Sequence, residues 1–346
     1  NLAASIVGGN LVATATTGNM EDSGVLTIAG TSSFTTSATD ADINLNNANA
    51  FTGAVSFNTT GSTGHATVVD ASGLILAAST VGGNLVATAT TGNISDSGNL
   101  TIAGTSTFIT GASGSNVILD SSGNAFSNAV TLQADTGNET FGNVTFVDSG
   151  AVRLHSSASA DGDLYINAST DAAVGGNLNV TATTDNIRQG RAVAVGGASS
   201  FTTRANNANI NLSRTDNAFT GTVALNTTGS NGNATIDGGT TALVLAASTI
   251  GGDLTARSGN TSGITDSGTV TVGGNLLATT DAANGVINLG TLAVDGTVAL
   301  TTNGSGNATV VNDAGLDFAA STVGGNLAAT ASTGNMTDSG ALAITG

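Results

Sequence analysis

Short runs in which apolar and polar residues alternate recur along the whole chain. Examples are Leu26-Thr27-Ile28, Ile43-Asn44-Leu45, Val55-Ser56-Phe57 and Val130-Thr131-Leu132. A period of two over a few residues, bounded by Gly, Asn, Asp and Ser, is typical of β-strands and the turns between them. No amphipathic segment of useful helical length is present. The pattern therefore predicts an all-β protein built from many short strands.

The phase of this alternation predicts which side chains face the core. Successive residues of a strand point to opposite faces, so a slip of one residue would exchange inside and outside. Thr14, Thr27, Thr88 and Thr101 are predicted to face outward. The residues predicted to be buried are Leu11, Leu85, Leu178, Leu254, Leu327, Ile28, Ile102, Leu45, Leu212, Val55, Val223, Leu76, Leu245 and Phe318.

The runs belong to a longer repeat. Residues 80–93 almost reprint residues 6–19. The Gly-Gly pairs that open successive copies begin at Gly8, Gly82, Gly175, Gly251 and Gly324, with spacings of 74, 93, 76 and 73 residues. The chain is therefore organised in blocks of about 75 residues, and periods of tens of residues indicate stacked architectures.

The long second block carries about 19 extra residues, after which the pattern resumes in phase. The extra stretch contains a strand-like run, Leu164-Tyr165-Ile166, which favours insertion of one whole structural turn over a simple loop. A further Gly-Gly pair begins at Gly273, 22 residues after Gly251. These intervals predict coils of about 18–25 residues, the usual size of a solenoid repeat.

Strand-rich repeats without helices form propellers or solenoids. Propeller blades run to about 40–50 residues with aromatic signatures, and this chain has only 10 Phe, one Tyr and no Trp. We therefore predict a right-handed parallel β-helix, or β-solenoid, because parallel crossovers are almost always right-handed. It is expected to be one continuous segment over residues 1–346, with roughly 17 rungs and a length of about 80 Å.

Two recurring motifs are predicted to form corners between the strands. An Asn or Asp follows the Gly-Gly pairs, as at Asn84 and Asp253, and Asp-Ser-Gly recurs, as at Asp22-Ser23-Gly24. Gly tolerates positive φ, and Asn tolerates it better than most residues. Asp and Ser bond local backbone groups in turns. We therefore expect positive φ at the glycines and local hydrogen bonds at Asp-Ser-Gly.

Composition narrows the range of partners. The net charge is −17, Pro and Cys are absent, and the six basic residues are all Arg, between Arg153 and Arg257. Pro is excluded from central strands, so its absence suits a chain that is paired along its length. Nucleic-acid binding requires basic patches, and no apolar run reaches the roughly 18 residues of a membrane span. We expect neither nucleic acid nor membrane insertion.

The two termini resemble internal repeats. Leu2-Ala3-Ala4-Ser5 is similar to Leu76-Ala77-Ala78-Ser79, and Leu342-Ala343-Ile344 is similar to Leu100-Thr101-Ile102. Solenoids end in atypical capping repeats, and neither terminus looks like one. We therefore expect solenoid repeats to continue covalently beyond both ends of a longer chain, and other copies to be partners in a filament or bundle.

Few residues are candidates for catalysis. His65 and His155 are the only histidines, and His65 stands where later copies have Asn, which favours a surface turn residue. Glycosidases use two carboxylates, and the best pairs are Asp40 with Asp42 and Asp161 with Asp163. Carboxylates two apart are common on acidic surfaces, and sugar-stacking aromatic residues are scarce. We expect no enzyme, no catalytic or metal site and no cofactor.

Two features of the sequence bear on binding surfaces. Asp-rich corners could bind calcium, but the Gly-Gly-x-Gly-x-Asp nonapeptide of calcium-binding β-rolls is absent. Pairs such as Thr14 with Thr16 and Thr88 with Thr90 resemble flat ice-binding faces. The pairs recur once per block, so we expect no continuous array.

The order of these motifs resembles a known family. Leu-Ala-Ala-Ser-Thr-Val-Gly-Gly-Asn-Leu, Thr-Asp-Ser-Gly-Ala-Leu and Asn-Ala-Phe-Thr-Gly-Ala-Val together look like the repeat region of filamentous-haemagglutinin-like bacterial exoproteins, which are secreted by two-partner systems. The resemblance covers the whole chain and implies a right-handed β-helix at the bacterial cell surface. The family's amino-terminal secretion domain and carboxy-terminal effectors are not part of this sequence.

The expected function is structural. The chain is predicted to be the shaft of a giant bacterial cell-surface or extracellular filament or adhesin, without catalysis, whose partners include a host-cell or matrix surface. One alternative is a β-helix that binds or cleaves polysaccharides, and a second is a calcium-binding adhesive module. Such repeats serve adhesins, toxin-delivery stalks and filaments alike, so the repeat type alone does not choose among these roles.

Overall fold

The computed structural model describes residues 1–134, 141–154, 163–166 and 172–346. This part of the chain contains strands and no helix, and the parallel strands stack in about 14 coils. The predicted parallel β-solenoid is confirmed, and its right-handed sense stays a prediction. The predicted 17 rungs, which correspond to roughly 20 residues a coil, were too many, because many coils are longer, as between Ser106 and Val130.

The chain divides into two units, residues 1–176 and 177–346. The single continuous segment over residues 1–346 therefore stays a prediction. The strands of the first unit are β1 (Ser5–Val7), β2 (Leu11–Ala15), β3 (Met20–Glu21), β4 (Leu26–Ile28), β5 (Ser32–Thr39), β6 (Ile43–Phe51), β7 (Val55–Thr60), β8 (Ala66–Asp70), β9 (Leu74–Leu76), β10 (Ser79–Val81), β11 (Leu85–Ala89), β12 (Ile94–Asp96), β13 (Leu100–Ile102), β14 (Ser106–Thr110), β15 (Val117–Leu119), β16 (Ala125–Phe126), β17 (Val130–Ala134), β18 (Val144–Asp148), β19 (Val152–Leu154), β20 (Asp163–Ile166) and β21 (Ala172–Val174).

The second unit repeats this organisation. Its strands are β22 (Leu178–Ala182), β23 (Ile187–Gln189), β24 (Val193–Val195), β25 (Ser199–Asn206), β26 (Ile210–Leu212), β27 (Ala218–Phe219), β28 (Thr222–Thr228), β29 (Ala234–Asp237), β30 (Leu243–Leu245), β31 (Ser248–Ile250), β32 (Leu254–Ser258), β33 (Ile264–Asp266), β34 (Val270–Val272), β35 (Leu276–Ala283), β36 (Ile287–Val294), β37 (Thr297–Asn303), β38 (Ala308–Asn312), β39 (Leu316–Phe318), β40 (Ser321–Val323), β41 (Leu327–Ala331), β42 (Met336–Asp338) and β43 (Leu342–Ile344).

One coil holds three strands. β14 pairs with β11, β15 with β12 and β16 with β13, all in parallel. Stacked residues such as Leu85 and Ser106, or Ser106 and Val130, lie 21 and 24 positions apart in sequence. Two short coils, from Ala66 to Leu85 and from Ala308 to Leu327, take 19. The predicted coil of about 18–25 residues is therefore confirmed, although the step from Val117 to Val144 is longer, at 27.

Equivalent residues of successive blocks do not stack on one another. One column of paired residues runs Leu11, Ser32, Val55 and Leu76, and the next runs Met20, Ile43, Ala66 and Leu85. Leu85, the sequence counterpart of Leu11, thus lies in the neighbouring column. A block of about 75 residues exceeds three coils by about one strand, so each block begins one strand position further round.

The second unit shows the same displacement. The first column there runs Leu178, Ser199, Val223 and Leu245, and the second runs Ile187, Ile210, Ala234 and Leu254. Leu254 is the counterpart of Leu178 and again lies one column further on. Because the shift recurs within each unit, it is a property of the block length.

The predicted core is confirmed with two exceptions. Twelve of the predicted residues are buried, but Leu11 and Leu327 are only half-buried. Those two predictions were wrong because β2 and β41 each pair on one side only, with β5 and β38. In both strands the residues that face the core are nevertheless the predicted ones.

The outward phase is also confirmed. Thr14, Thr27 and Thr101 are exposed, and Thr88 is half-buried beside neighbouring strands on both sides. The period-two pattern therefore identifies the two faces of the strands without a slip in register.

Phenylalanine rings contact one another in the core. Phe34 stacks on Phe57 at 6.0 Å between ring centroids and meets Phe51 edge-on at 5.9 Å. Phe201 and Phe219 form a similar edge-on pair at 6.1 Å. Such pairs contribute about 0.5–1.5 kcal/mol beyond burial.

The strand-like run in the long block is a strand. β20 pairs in parallel with β17, with Leu164 opposite Val130, and also with β19. Much of the added stretch lies outside the described residues, and insertion of one whole turn stays a prediction.

Candidate functional site

A ladder of side-chain acceptors follows one corner of the first unit. Each member takes the backbone N–H of the residue one coil further on. The members are Asn19, Asp42, His65 and Asn84, which accept from Asp42, His65, Asn84 and Thr105 at 2.9, 2.8, 2.8 and 2.9 Å. The ladder thereby gives partners to N–H groups at the corner that the strands leave unpaired.

A longer ladder of the same kind runs through the second unit. Asn186, Asn209, Asn233, Asp253 and Asn275 accept the N–H of the next member, and Asn275 accepts that of Thr297, at 2.6–2.9 Å. The Asn or Asp after the Gly-Gly pair is thus a ladder residue. The sequence signal is position, because each member directly precedes the first inward residue of a strand.

Three residues in turns between strands have unusual backbone: Asp40 and Asn207 each lie two residues before a ladder residue, and Asn284 lies between β35 and β36. Asp40, Asn207 and Asn284 have φ of 60°, 63° and 63°. Their side chains accept the N–H of Thr63, Asn231 and Ser305, one coil further on, at 2.9, 3.1 and 2.8 Å. Asn and Asp tolerate this left-handed region best among residues with a side chain.

The expectation about the Gly-Gly pairs was wrong. The Gly-Gly pairs that open the copies, beginning at Gly8, Gly82, Gly175, Gly251 and Gly324, have no positive φ. Positive φ occurs instead at other glycines, namely Gly61, Gly114, Gly229, Gly239, Gly263, Gly304 and Gly334. Gly82 instead lies directly against the carbonyl oxygen of Gly61 in the preceding coil, where an added Cβ would overlap that oxygen. The Gly-Gly motif is therefore required by the close approach of stacked coils.

The Asp-Ser-Gly motif also differs from expectation. The Asp22 carboxylate accepts the N–H groups of Asn46 and Asn47 at 3.1 and 3.2 Å, in the next coil and not locally. It also accepts the side-chain amide of Asn49 at 2.8 Å. Asn49 is fully buried, and its Oδ1 accepts the N–H of Leu26 at 2.8 Å.

The same buried pair recurs one block later. Asn124 donates to Asp96 at 2.6 Å and accepts from Leu100 at 2.8 Å. The Asn of each pair opens the recurring Asn-Ala-Phe motif, and its partnership with Asp-Ser-Gly was not predicted from the sequence. The constant interval of 27 or 28 residues between the two was the available signal.

One outward position of successive coils forms a column that is threonine apart from one Asn, which is a single file and not an array of Thr-x-Thr pairs. Thr14, Thr35, Asn58, Thr80 and Thr101 are paired in successive coils of the first unit. The second unit has Thr181, Thr202, Asn226, Thr249 and Thr271 in the same order. The Thr-x-Thr pairs recur once per block, but other motifs supply the intervening members.

The candidate carboxylate pair is occupied by structural hydrogen bonds. Asp40 accepts from Thr63 and Asp42 accepts from His65, both backbone donors. The N–H of Thr63 holds the pKa of the exposed Asp40 carboxyl below its usual range. His65 lies at the predicted turn, as a ladder member. His155 and Asp161 lie outside the described residues, and only the backbone of Asp163 is described.

Two buried carboxylates were not singled out from the sequence. Asp70 accepts the N–H of Phe51 at 3.0 Å, and burial raises its pKa. Asp237 accepts the N–H of Gly239 at 2.7 Å, and burial raises its pKa as well. The signal was the closing residue of a recurring inward run, which is Asp70 in one copy and Asn312 in another.

The described residues hold no group of three or more His, Asp and Glu side chains that could bind a metal ion. Within the same part of the chain, no helix has the length and apolar character needed to cross a membrane.

Comparison with known proteins gives one family. Comparisons with curated proteins and with solved structures find no match. The model of a family described as repeats of unknown function (DUF5649) matches residues 1–58, 63–133, 141–226 and 305–346. These segments cover well over half of the sequence, and the chain belongs to this family of repeats.

Proposed function

We propose that this chain is a structural segment, the shaft of a giant bacterial cell-surface or extracellular filament or adhesin protein, and that it catalyses no reaction. The observation that carries the proposal is the use of its polar side chains. Ladder residues and buried Asp–Asn pairs form hydrogen bonds between successive coils. Their polar atoms therefore hold the coils together.

The distribution of the core supports the same role. Each coil contributes a few apolar residues from each of its three strands, and stability in such an array is a sum of contacts between neighbouring repeats. A stack of this kind can be lengthened by adding repeats without redesigning a core. Extracellular location and solenoid repeats beyond both ends are part of the proposal.

The test is immuno-electron microscopy on intact cells of the source organism with antibodies raised against this chain. Labelled filaments or projections outside the envelope are expected, with none on cells that lack the gene. Labelling only after permeabilisation would contradict the proposal.

A glycan screen tests the enzymatic alternative. Incubating the chain with acidic and neutral polysaccharides should give no turnover. Turnover that is lost in Asp40→Asn/Asp42→Asn would overturn the structural role. This variant should fold normally, because Asn occupies both equivalent positions in the second unit, at Asn207 and Asn209. Calorimetry with calcium tests the other alternative, a calcium-binding adhesive module. Micromolar binding would count against a purely structural segment.

A further inference from the structure

Two surface regions of this chain have the same backbone geometry but opposite charge. Residues 20–45 and 187–212 are counterparts at a constant offset, with Met20 matching Ile187 and Leu45 matching Leu212. Over this stretch the first copy carries four acidic residues and no basic one, whereas the second carries three Arg and no acidic residue.

The local geometry of the two copies is the same. β5 and β25 are both eight residues long, with the same sequence of buried and exposed positions. Each ends in a register shift against the following strand, after Thr35 in one and Thr202 in the other. The residues that follow, Asp40 and Asn207, have φ of 60° and 63°.

The charged side chains are accessible. We define the acidic patch as Glu21, Asp40 and Asp42, and the basic patch as Arg188, Arg191 and Arg204. All six are exposed except Asp42, which is half-buried. None of the three arginines forms an ion pair with a described residue.

The rest of the chain sharpens the contrast. Residues 1–152 contain no Arg, and neither do residues 258–346, while residues 186–215 contain four Arg and no acidic residue. The basic patch is therefore the main site of unpaired positive charge in a chain of net charge −17. The chain itself supplies the opposite charge, because the acidic patch lies on the counterpart segment, residues 20–45.

We propose that the acidic patch of one copy binds the basic patch of a second copy, so that the chain associates side by side with itself. Arg is suited to this contact because its planar guanidinium bonds carboxylates in a bidentate manner. Opposite potentials on two surfaces also fix which regions meet and how they are aligned. If the proposed function holds, the contact bundles neighbouring shafts, but the contact does not depend on that function.

The test is sedimentation velocity of the full 346-residue chain. Association should weaken at least roughly tenfold between about 20 mM and about 500 mM salt, because exposed charges are screened over a few ångströms at high salt. Arg188→Gln/Arg191→Gln/Arg204→Gln removes the basic patch. Glu21→Gln/Asp40→Asn/Asp42→Asn removes the acidic patch, and Asn207 and Asn209 show that amides fit two of these positions.

Each variant alone should be monomeric at low salt, and an equimolar mixture of the two should associate again, because each retains the patch that the other lacks. The control Asp295→Asn/Asp313→Asn/Asp338→Asn makes the same change in net charge elsewhere and should associate as the unmodified chain does. Circular dichroism checks that every variant is folded.

Three outcomes would overturn the proposal: an unmodified chain that is monomeric at low salt, variants that associate undiminished, or a mixture that fails to associate. Capture of the basic patch by heparin while the chains stay monomeric would assign it to an external polyanion instead. None of these results bears on the location of the protein on the cell, which the microscopy above decides separately.

Discussion

His65 and Asn84 are joined by a hydrogen bond that requires an unprotonated Nδ1, which accepts the backbone N–H of Asn84 at 2.8 Å. The imidazole thus carries its proton on Nε2. It takes the place of Asn233 and Asn307 at the equivalent positions of later copies, whose Oδ1 atoms accept the N–H groups of Asp253 and Asn326 at 2.8 Å. A histidine can therefore replace an amide in the ladder because only one acceptor atom is needed.

His65→Asn should leave this corner intact, whereas His65→Ala should open it. The alanine variant removes the acceptor and costs about 1 kcal/mol, the typical net worth of such a bond. The measurement is hydrogen exchange at the Asn84 amide, which reports local opening in a repeat array. Protection should persist in His65→Asn and fall about fivefold in His65→Ala. Equal protection in both variants would show that the bond contributes nothing.

Asp70→Asn should stabilise the first unit at neutral pH. Burial raises the pKa of Asp70 above 3.8 in the folded chain, so the folded state favours the protonated form. The stability contributed by this group is fully present below the unfolded pKa and is lost as pH rises through the folded pKa. Asn312 shows that an amide fits the position, since its Oδ1 accepts the N–H of Val294 at 2.8 Å and its Nδ2 donates to the Val294 carbonyl at 3.0 Å.

The measurement for Asp70 is the urea midpoint at pH 3 and pH 7. The variant should gain over the unmodified chain at pH 7 and show little difference at pH 3. Asn312→Asp is the reciprocal control and should lose stability at pH 7 only. A gain for Asp70→Asn that is independent of pH would mean that the charge is not the cause.

Gly82→Ala should destabilise the first unit by about 1–3 kcal/mol, the usual cost of overpacking. Its Cβ would overlap the carbonyl oxygen of Gly61, a backbone atom that cannot move aside without displacing the coil. Gly290→Ala is the matched control, because its Cβ would meet nothing closer than 3.9 Å. This variant should change stability by less than about 0.5 kcal/mol. Thermal unfolding of both variants compares them, and similar losses would refute close approach as the reason.

Asn124→Leu should be among the most damaging single substitutions. Leucine has a similar volume but leaves the Leu100 N–H and part of the Asp96 carboxylate without partners in a buried site. An unsatisfied buried group costs about 1–3 kcal/mol, so a loss of at least about 2 kcal/mol is expected in urea unfolding. Asn128→Ala, at an exposed residue that donates to Ala103, should cost little. Comparable losses would show that the buried network has no special weight.

Much of the fold follows from the period-two pattern. Leu85, Ile102 and Val223 are buried as predicted because strand geometry leaves an alternating side chain only two faces. The two exceptions, Leu11 and Leu327, depend on how many neighbours a strand has, and the pattern within one strand does not contain that information.

The polar network is less accessible from sequence. The partner of Asp22 is 24 to 27 residues away, beyond the range of the local turn preferences from which the motif was interpreted. The role of Gly82 likewise depends on an atom 21 residues earlier, in Gly61. Both contacts arise from stacking, so they become visible only once the length of each coil is known.

The displacement of each block by one strand position has a consequence for how such proteins change in evolution. Near-identical repeats recombine readily, and the gain or loss of one block would turn everything after it to face a different direction. With three strands in a coil, only a change of three blocks would restore the original bearing. The number of blocks therefore sets the direction in which a later repeat faces around the solenoid axis, as well as its position along that axis.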